Sequence, residues 1–159
     1  MKRLILCALL ASCGSAPQSV TSGADYPKVP DERMTPGSMC STNDGDFKEF
    51  RYSEKIPYCQ RNVTSETKTG IYRAYGIDLS TRTQYTIDHL IPLSMGGNNA
   101  VTNLWPQNKA IYSGKIEYWL FCMLRDGSAT QAYVLSTLLE IKHGNSSLQV
   151  VQPSNCNEY

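Results

Sequence analysis

Residues 87–108 (IDHLIPLSMGGNNAVTNLWPQN) are those whose types and spacing could do chemistry. Asp88 and His89 are adjacent in a stretch with strand character, and Asn103 and Asn108 follow a glycine-rich turn. A histidine with an ordinary pKa of about 6.5 can take a proton from water at neutral pH as a general base. Because neighbouring strand residues point to opposite faces, Asp88 can contact a cation while His89 acts on water. These residue types are compatible with metal-assisted hydrolysis.

The expected cation is Mg²⁺ or Mn²⁺. Asp88 and Asn108 would offer a carboxylate and an amide oxygen, hard ligands that suit an ion which keeps several of its waters. Zn²⁺ would prefer nitrogen or sulfur. The chain has two histidines, His89 and His143, which excludes a three-histidine site, and it has no CxxC or HxxxH pair for a zinc finger. No small-molecule cofactor is expected.

Taken singly, each of these residues is more often structural, but their order and spacing resemble the HNH endonucleases, the ββα-metal nuclease superfamily. The stretch 88–93 (DHLIPL), the glycines 96–97 and Asn103, fourteen residues after His89, follow the family pattern. The NLWPQ ending is most similar to a group of small exported bacterial HNH-like proteins. The resemblance extends over roughly residues 40–142.

The resemblance implies an α+β fold in which a small ββα-metal hairpin-plus-helix motif is embedded in a mainly helical, disulfide-stapled domain. It implies that His89 activates water and that Asp88 and Asn108 hold the divalent cation. It also implies that Asn103 braces the loop and orients the His89 ring, a supporting task that such sites commonly need.

The chain departs from the family at the last metal ligand. Asn108 stands nineteen residues after His89, whereas many HNH enzymes place this ligand a few residues later. Gln107 or Ser113 could stand in for it. Many family members also carry zinc-binding CxxC pairs, which are absent here, and disulfides could replace them as staples.

Upstream of the motif, residues 46–58 mix aromatic and charged residues without a clean period, which predicts an irregular wrap. Thr64 or Ser65 is expected to cap a helix that runs through Tyr75 and ends at the following glycine. Around the motif, aromatic and β-branched residues predict a strand over 84–91.

Downstream, the SMGGNN stretch 94–99 predicts a turn, and 100–104 a short return strand. A long helix is then expected from Gln107 or Asn108 to Asp126. Thr130 is expected to cap a last helix, with His143 in its final turn as a structural residue.

Substrate contacts are expected from basic residues near the motif, although solvated surface charge is an equally good interpretation of any one of them. The candidates are Lys109, Lys115, Arg82 and Arg61. Trp105 and Tyr85 could stack on bases. For Trp105, packing in the hairpin core is the preferred interpretation.

The charge balance excludes one class of nucleic-acid binder. The chain has 15 Lys and Arg against 14 Asp and Glu, a formal charge of +1, and it falls to −1 without residues 1–12. A protein held to DNA by bulk charge would be far more basic. Any contact with nucleic acid must therefore be local.

The N-terminus predicts export. Lys2 and Arg3 precede the apolar run 4–11 (LILCALLA), so residues 1–12 resemble a signal peptide, and LASC resembles a bacterial lipoprotein signal with Cys13 as the acylated residue. The alternative is ordinary cleavage after Ala16. Residues 13–39, rich in proline and serine, are expected to form a flexible tether. We expect an outer-membrane lipoprotein facing the periplasm or cell surface, or else a soluble periplasmic or secreted protein.

Residues 40–159 are expected to form one HNH-like domain with two disulfides, and the protein is expected to be monomeric. Four cysteines allow three pairings, and pairing of chain neighbours favours Cys40–Cys59 and Cys122–Cys156. Two functions follow: a metal-dependent endonuclease that cuts DNA or RNA with little sequence specificity, or a non-enzymatic envelope lipoprotein that uses the same scaffold to bind a partner.

Overall fold

The computed structural model describes residues 29–110, 114–144 and 148–156. The expected signal peptide, the acylated Cys13 and the tether up to residue 28 lie outside the described residues. Ser113, the alternative metal ligand, lies outside them too.

The first structural unit is a hairpin where an irregular wrap was expected over 46–58. Strands β1 (Phe47–Arg51) and β2 (Ile56–Cys59) pair antiparallel, with a bulge near the start of β1. The turn between them places Tyr52 and Lys55 at positive φ, 61° and 56°. The prediction was wrong because neither is a glycine or asparagine, the residues that usually mark such a turn.

Helix α1 (Ser65–Ala74) confirms the predicted helix to within one residue. The Thr64 hydroxyl accepts a hydrogen bond from the backbone N–H of Thr67 at 3.2 Å. Ile71 and Tyr72 are buried against the second hairpin.

The second hairpin carries the motif. Strand β3 (Tyr85–His89) pairs antiparallel with β4 (Leu104–Asn108). The expected return strand over 100–104 is thus displaced toward the C-terminus, because 101–103 form a single 3₁₀ turn. Asn108 ends a strand and does not open a helix. Pro106 within β4 is tolerated because each strand of a two-stranded sheet has a free edge.

Two helices that contact each other complete the domain. Helix α2 (Lys115–Asp126) begins well after the expected start at Gln107 or Asn108, because those residues belong to β4. Helix α3 (Gln131–Lys142) is capped as predicted, since the Thr130 hydroxyl accepts from the backbone N–H of Tyr133 at 3.3 Å.

The apolar residues form two clusters. One lies between α2, α3 and the first hairpin and includes Ile56, Met95, Leu120, Leu124, Val134 and Leu138. The other lies between α1 and the second hairpin and includes Ile71, Tyr72, Ile77, Tyr85, Ile87 and Leu104. The architecture is a mixed α+β fold. The expected predominance of helix is not clearly supported, since the residues that the structure describes form three α-helices and four strands.

Both expected disulfides are present. Cys40–Cys59 ties the segment before β1 to the end of β2, and Cys122–Cys156 ties α2 to the C-terminal segment. Stable disulfides are typical of proteins in oxidising, extracytoplasmic compartments. Within the described ranges, no helix has the length and apolar character needed to cross a membrane.

Candidate active site

His89 lies at the end of β3, on the face of the hairpin that also carries Tyr85 and Ile87. Its cross-strand partner is Leu104, and the residue is 3% exposed. Its ring nitrogen Nε2 lies 3.2 Å from the side-chain oxygen Oδ1 of Asn99. The candidate base is therefore a buried histidine whose ring is held by a neighbouring amide.

The hydrogen bonds of Asn99 determine which ring nitrogen carries the proton. Its Nδ2 donates to Asp46 Oδ2 at 3.0 Å and to the Gln60 carbonyl at 2.8 Å, groups that accept only. Its Oδ1 therefore faces His89, and it also accepts from the Asn62 backbone N–H at 3.2 Å. His89 Nε2 must then be the donor, so Nδ1 of the neutral ring keeps the lone pair that a general base needs.

Burial lowers the pKa of His89 below its ordinary value, and the hydrogen bond to Asn99 opposes this shift. The positive charge of Arg61 lowers the pKa further. A histidine with a lowered pKa is neutral at pH 7 and ready to accept a proton. Arg61 itself is exposed, and its Nη2 donates to the Ile87 carbonyl at 3.4 Å. A cation thus lies beside the candidate base.

Asn103 is fully buried and braces the loop after β3. Its Oδ1 accepts from the Ile91 N–H at 2.9 Å, and its Nδ2 donates to the carbonyls of Ile91 and Asn98, both at 2.9 Å. The ring of His89, however, is held by Asn99. Asn99 does not stand out in the sequence, because two asparagines after two glycines are typical of an ordinary turn.

Asp88 points to the opposite face from His89, as expected for its neighbour in a strand. Its Oδ2 lies 3.3 Å from the ammonium nitrogen Nζ of Lys142 at the end of α3. The same Nζ lies 3.1 Å from Glu117 Oε2 on α2 and donates to the His89 carbonyl at 2.7 Å. Asp88 is therefore part of a partly buried ionic cluster, in which the ammonium of Lys142 is buried.

The structure does not bring Asp88 and Asn108 together. Asn108 is the cross-strand partner of Tyr85, so it belongs to the opposite face from Asp88 and lies three residues away along β3. Its Oδ1 accepts from the backbone N–H of Ala110 at 2.9 Å. Gln107, the alternative ligand, pairs with Thr86 and is buried. The expected ligand pair therefore does not fit a common ion.

A different trio has metal-like spacing. Among the described residues, one group of three acidic or sulfur side chains brings its ligand atoms together, namely Cys40, Asp44 and Cys59. Its two sulfurs form a disulfide, so they are not the thiolates that bind metals. This group is not a metal centre in the oxidised protein.

The four predicted substrate-binding residues are dispersed. Arg61 is adjacent to His89, whereas Lys109 lies at the far end of the hairpin, where its Nζ donates to the Thr83 carbonyl at 2.8 Å. Arg82 is exposed just before β3, and Lys115 begins α2, with its Nζ 5.3 Å from the centre of the Trp119 ring.

The two aromatic candidates for base stacking are buried. Trp105 is 3% exposed and Tyr85 is 8% exposed, which leaves neither ring face open to a nucleotide. The packing interpretation of Trp105 agrees with this burial. His143 follows the last residue of α3, and its Nδ1 lies 3.4 Å from Glu32 Oε1.

No protein-family model matches the chain, and comparisons with curated proteins and with solved structures gave no match either. The resemblance to HNH endonucleases therefore stays a prediction.

Proposed function

We propose that the protein is an HNH-type endonuclease that hydrolyses phosphodiester bonds of DNA or RNA with little sequence specificity. One observation carries the proposal: the Asn99 amide oxygen holds Nε2 of His89, which leaves Nδ1 to accept a proton, and the Arg61 guanidinium donates to the Ile87 carbonyl two residues before His89. The chain order β3, β4, α2 is also that of the hairpin-plus-helix motif that the resemblance implies.

The family resemblance implies Mg²⁺ or Mn²⁺ at Asp88 and Asn108. Because these side chains belong to opposite faces of the hairpin, their oxygens do not converge on one ion. The proposed chemical steps therefore use the protein's own groups.

In the proposed reaction, His89 Nδ1 takes a proton from a water molecule, whose oxygen attacks the phosphorus atom. The P–O bond to the departing sugar oxygen breaks as the new P–O bond forms; the departing oxygen takes a proton from solvent water, and the protonated His89 returns its proton to solvent. The Arg61 guanidinium would contact a non-bridging phosphate oxygen and offset the negative charge that develops there. Asn99 holds the ring in place throughout.

We place this activity outside the cytoplasm, with Cys13 as the lipid anchor of an exported protein. The two disulfides support export, because they form and persist in oxidising compartments. Export would also keep a nuclease of low specificity away from the host genome.

A plasmid-nicking assay tests the function. The disulfide-bonded protein should convert supercoiled plasmid to nicked circles in one of a panel of buffers containing Mg²⁺, Mn²⁺, Zn²⁺ or chelator. Because a general base contributes about 10²–10⁴-fold to rate, His89→Ala should lose activity by about that factor. His143→Ala, which removes the other histidine, should cleave like the parent.

Two outcomes would count against the proposal. If neither single- nor double-stranded DNA or RNA is cleaved in any buffer, the enzyme function fails. If His89→Ala cleaves as fast as the parent, His89 is not the base.

The second candidate function is a non-enzymatic envelope lipoprotein that binds a partner. The burial of His89 favours it, since a residue that is 3% exposed offers little access to a phosphate. The nicking assay separates the two functions.

A further inference from the structure

We propose that the ammonium of Lys142 takes the position of a divalent ion at Asp88, so that the hairpin works without a metal there. The position of the ammonium is a property of the folded chain, whereas cleavage without a metal rests on the proposed nuclease function.

The contacts of Lys142 match those of a small hard cation. Its Nζ lies 3.3 Å from Asp88 Oδ2, 3.1 Å from Glu117 Oε2 and 2.7 Å from the His89 carbonyl oxygen. Two carboxylate oxygens and a carbonyl oxygen form a donor set that also suits Mg²⁺ or Mn²⁺. An ammonium has three N–H donors and can satisfy three such oxygens. The oxygens that a metal would use are therefore already bound.

The ammonium of Lys142 is buried, so its charge depends on the carboxylates around it. Its side chain is 1% exposed, whereas those of Asp88 and Glu117 are 25% and 24% exposed. Lysine is almost never fully buried unless it is paired, because removing its charge from water is unfavourable. The two carboxylates offset that penalty, so the ammonium is held from β3 and α2 at once.

A divalent ion would have to expel this ammonium or bind next to it. Expulsion would require the last residue of α3 to leave the core, because Lys142 follows Val134 and Leu138 on the buried face of the helix. Binding next to it would place like charges side by side in a partly buried site. Both routes oppose a metal at Asp88.

Lys142 would act through its neighbours and not on the substrate. Its bond to the His89 carbonyl fixes the backbone of the residue that carries the base, and its charge offsets part of the negative charge of Asp88 and Glu117 on the reverse face of the strand. Lys142 is thus a positioning residue. The phosphate would meet Arg61 on the other face.

A Mn²⁺ titration followed by electron paramagnetic resonance tests the position directly, with no need for activity. The parent and Asp88→Asn should bind Mn²⁺ equally weakly, because neither offers a free carboxylate pair. Lys142→Met should gain at least about tenfold in Mn²⁺ affinity, equal to 1.4 kcal/mol. Lys142→Met combined with Asp88→Asn should lose that gain.

The parent alone keeps the inference falsifiable if Lys142→Met does not fold. A parent protein that binds one Mn²⁺ at least tenfold more tightly than Asp88→Asn would overturn the inference. Circular dichroism confirms that the variants compared are folded.

Cleavage in chelator tests whether the hairpin works without a metal. Plasmid nicking by the parent should persist when divalent ions are removed. Nicking that occurs with Mg²⁺ and stops in chelator would overturn metal independence and leave the nuclease function standing. If no buffer supports nicking, the nuclease function fails, and the Mn²⁺ titration still decides the role of Lys142.

Discussion

Replacing Asn103 with alanine should destabilise the loop between β3 and β4 and lower the free energy of unfolding. The side chain is fully buried and makes three hydrogen bonds of 2.9 Å, one from the Ile91 N–H and two to the carbonyls of Ile91 and Asn98. A fourth contact, from the Ser38 N–H, is longer at 3.4 Å. Alanine can replace none of them, so several backbone groups lose their partner together.

The magnitude follows from these contacts. Leaving a buried donor or acceptor unsatisfied costs about 1–3 kcal/mol. Three well-made bonds would thus cost about 3–9 kcal/mol, and water entering the space left by the side chain would recover part of this. We expect a loss of about 3–5 kcal/mol, a large share of the 5–15 kcal/mol that is typical of a whole domain, about 10 at mid-range.

Urea denaturation followed by circular dichroism, with the disulfides intact, measures this loss. With a slope of about 1–3 kcal/mol per molar urea, the midpoint should fall by more than about 1 M. Asn108→Ala is the matched control, because its amide makes one exposed contact, to the Ala110 N–H. A loss below about 1 kcal/mol in Asn103→Ala, or an equal loss in Asn108→Ala, would refute the bracing role.

Three further predictions concern the same hairpin. Burial lowers the pKa of His89 in the folded protein below 6.5, so its contribution to the free energy of unfolding should be complete above about pH 6.5 and be lost as the pH falls through the folded pKa. In urea denaturations from pH 7.5 to 4.5, the free energy of unfolding should decline less in His89→Gln than in the parent. Equal declines would contradict this. Gly97→Ala should cost about 1–3 kcal/mol, because an added Cβ would lie 1.9 Å from the Ile91 carbonyl oxygen, whereas Gly45→Ala, with nothing within 4 Å, should leave the urea midpoint unchanged. Asn99→Ala should reduce kcat and move the acid limb of the pH–rate profile to lower pH, since its hydrogen bond raises the pKa of His89; an unchanged profile would rule out its role at the ring.

The helix starts of α1 and α3 could be predicted because they depend on local chemistry. Thr64 and Thr130 cap the two helices through bonds to N–H groups three residues ahead, and a threonine before an apolar pattern is visible in the sequence. The disulfide pairing was also accessible, since each cysteine bonds to its neighbour in the chain.

The strands were harder because their limits depend on tertiary contacts. The turn of the first hairpin uses Tyr52 and Lys55 at positive φ, which only the surrounding fold can enforce. In the second hairpin, β4 extends to Asn108 because its residues pair with β3. The apolar pattern alone could not separate the end of that strand from the start of α2.

Only part of the candidate site could be predicted, because the rest of it also depends on tertiary contacts. Asp88 and His89 are visible as a motif, but the groups that hold them, Asn99 and Lys142, are known only from contacts across the fold. One signal for Lys142 was present. It follows Val134 and Leu138 at four-residue spacing, so a helical α3 must bury it, and a buried lysine requires a carboxylate partner.

The alternation of β3 divides the site into two halves with different tasks. His89 faces an amide network and the Arg61 guanidinium, the groups to which the proposed reaction assigns the base and the phosphate contact. Asp88 faces the ammonium of Lys142, which it shares with Glu117. A cation on the Asp88 side would have to act through the strand to reach a phosphate bound beside His89. The proposed catalysis therefore depends on the His89 face, and the ion pair of Asp88 with Lys142 ties that strand to α3.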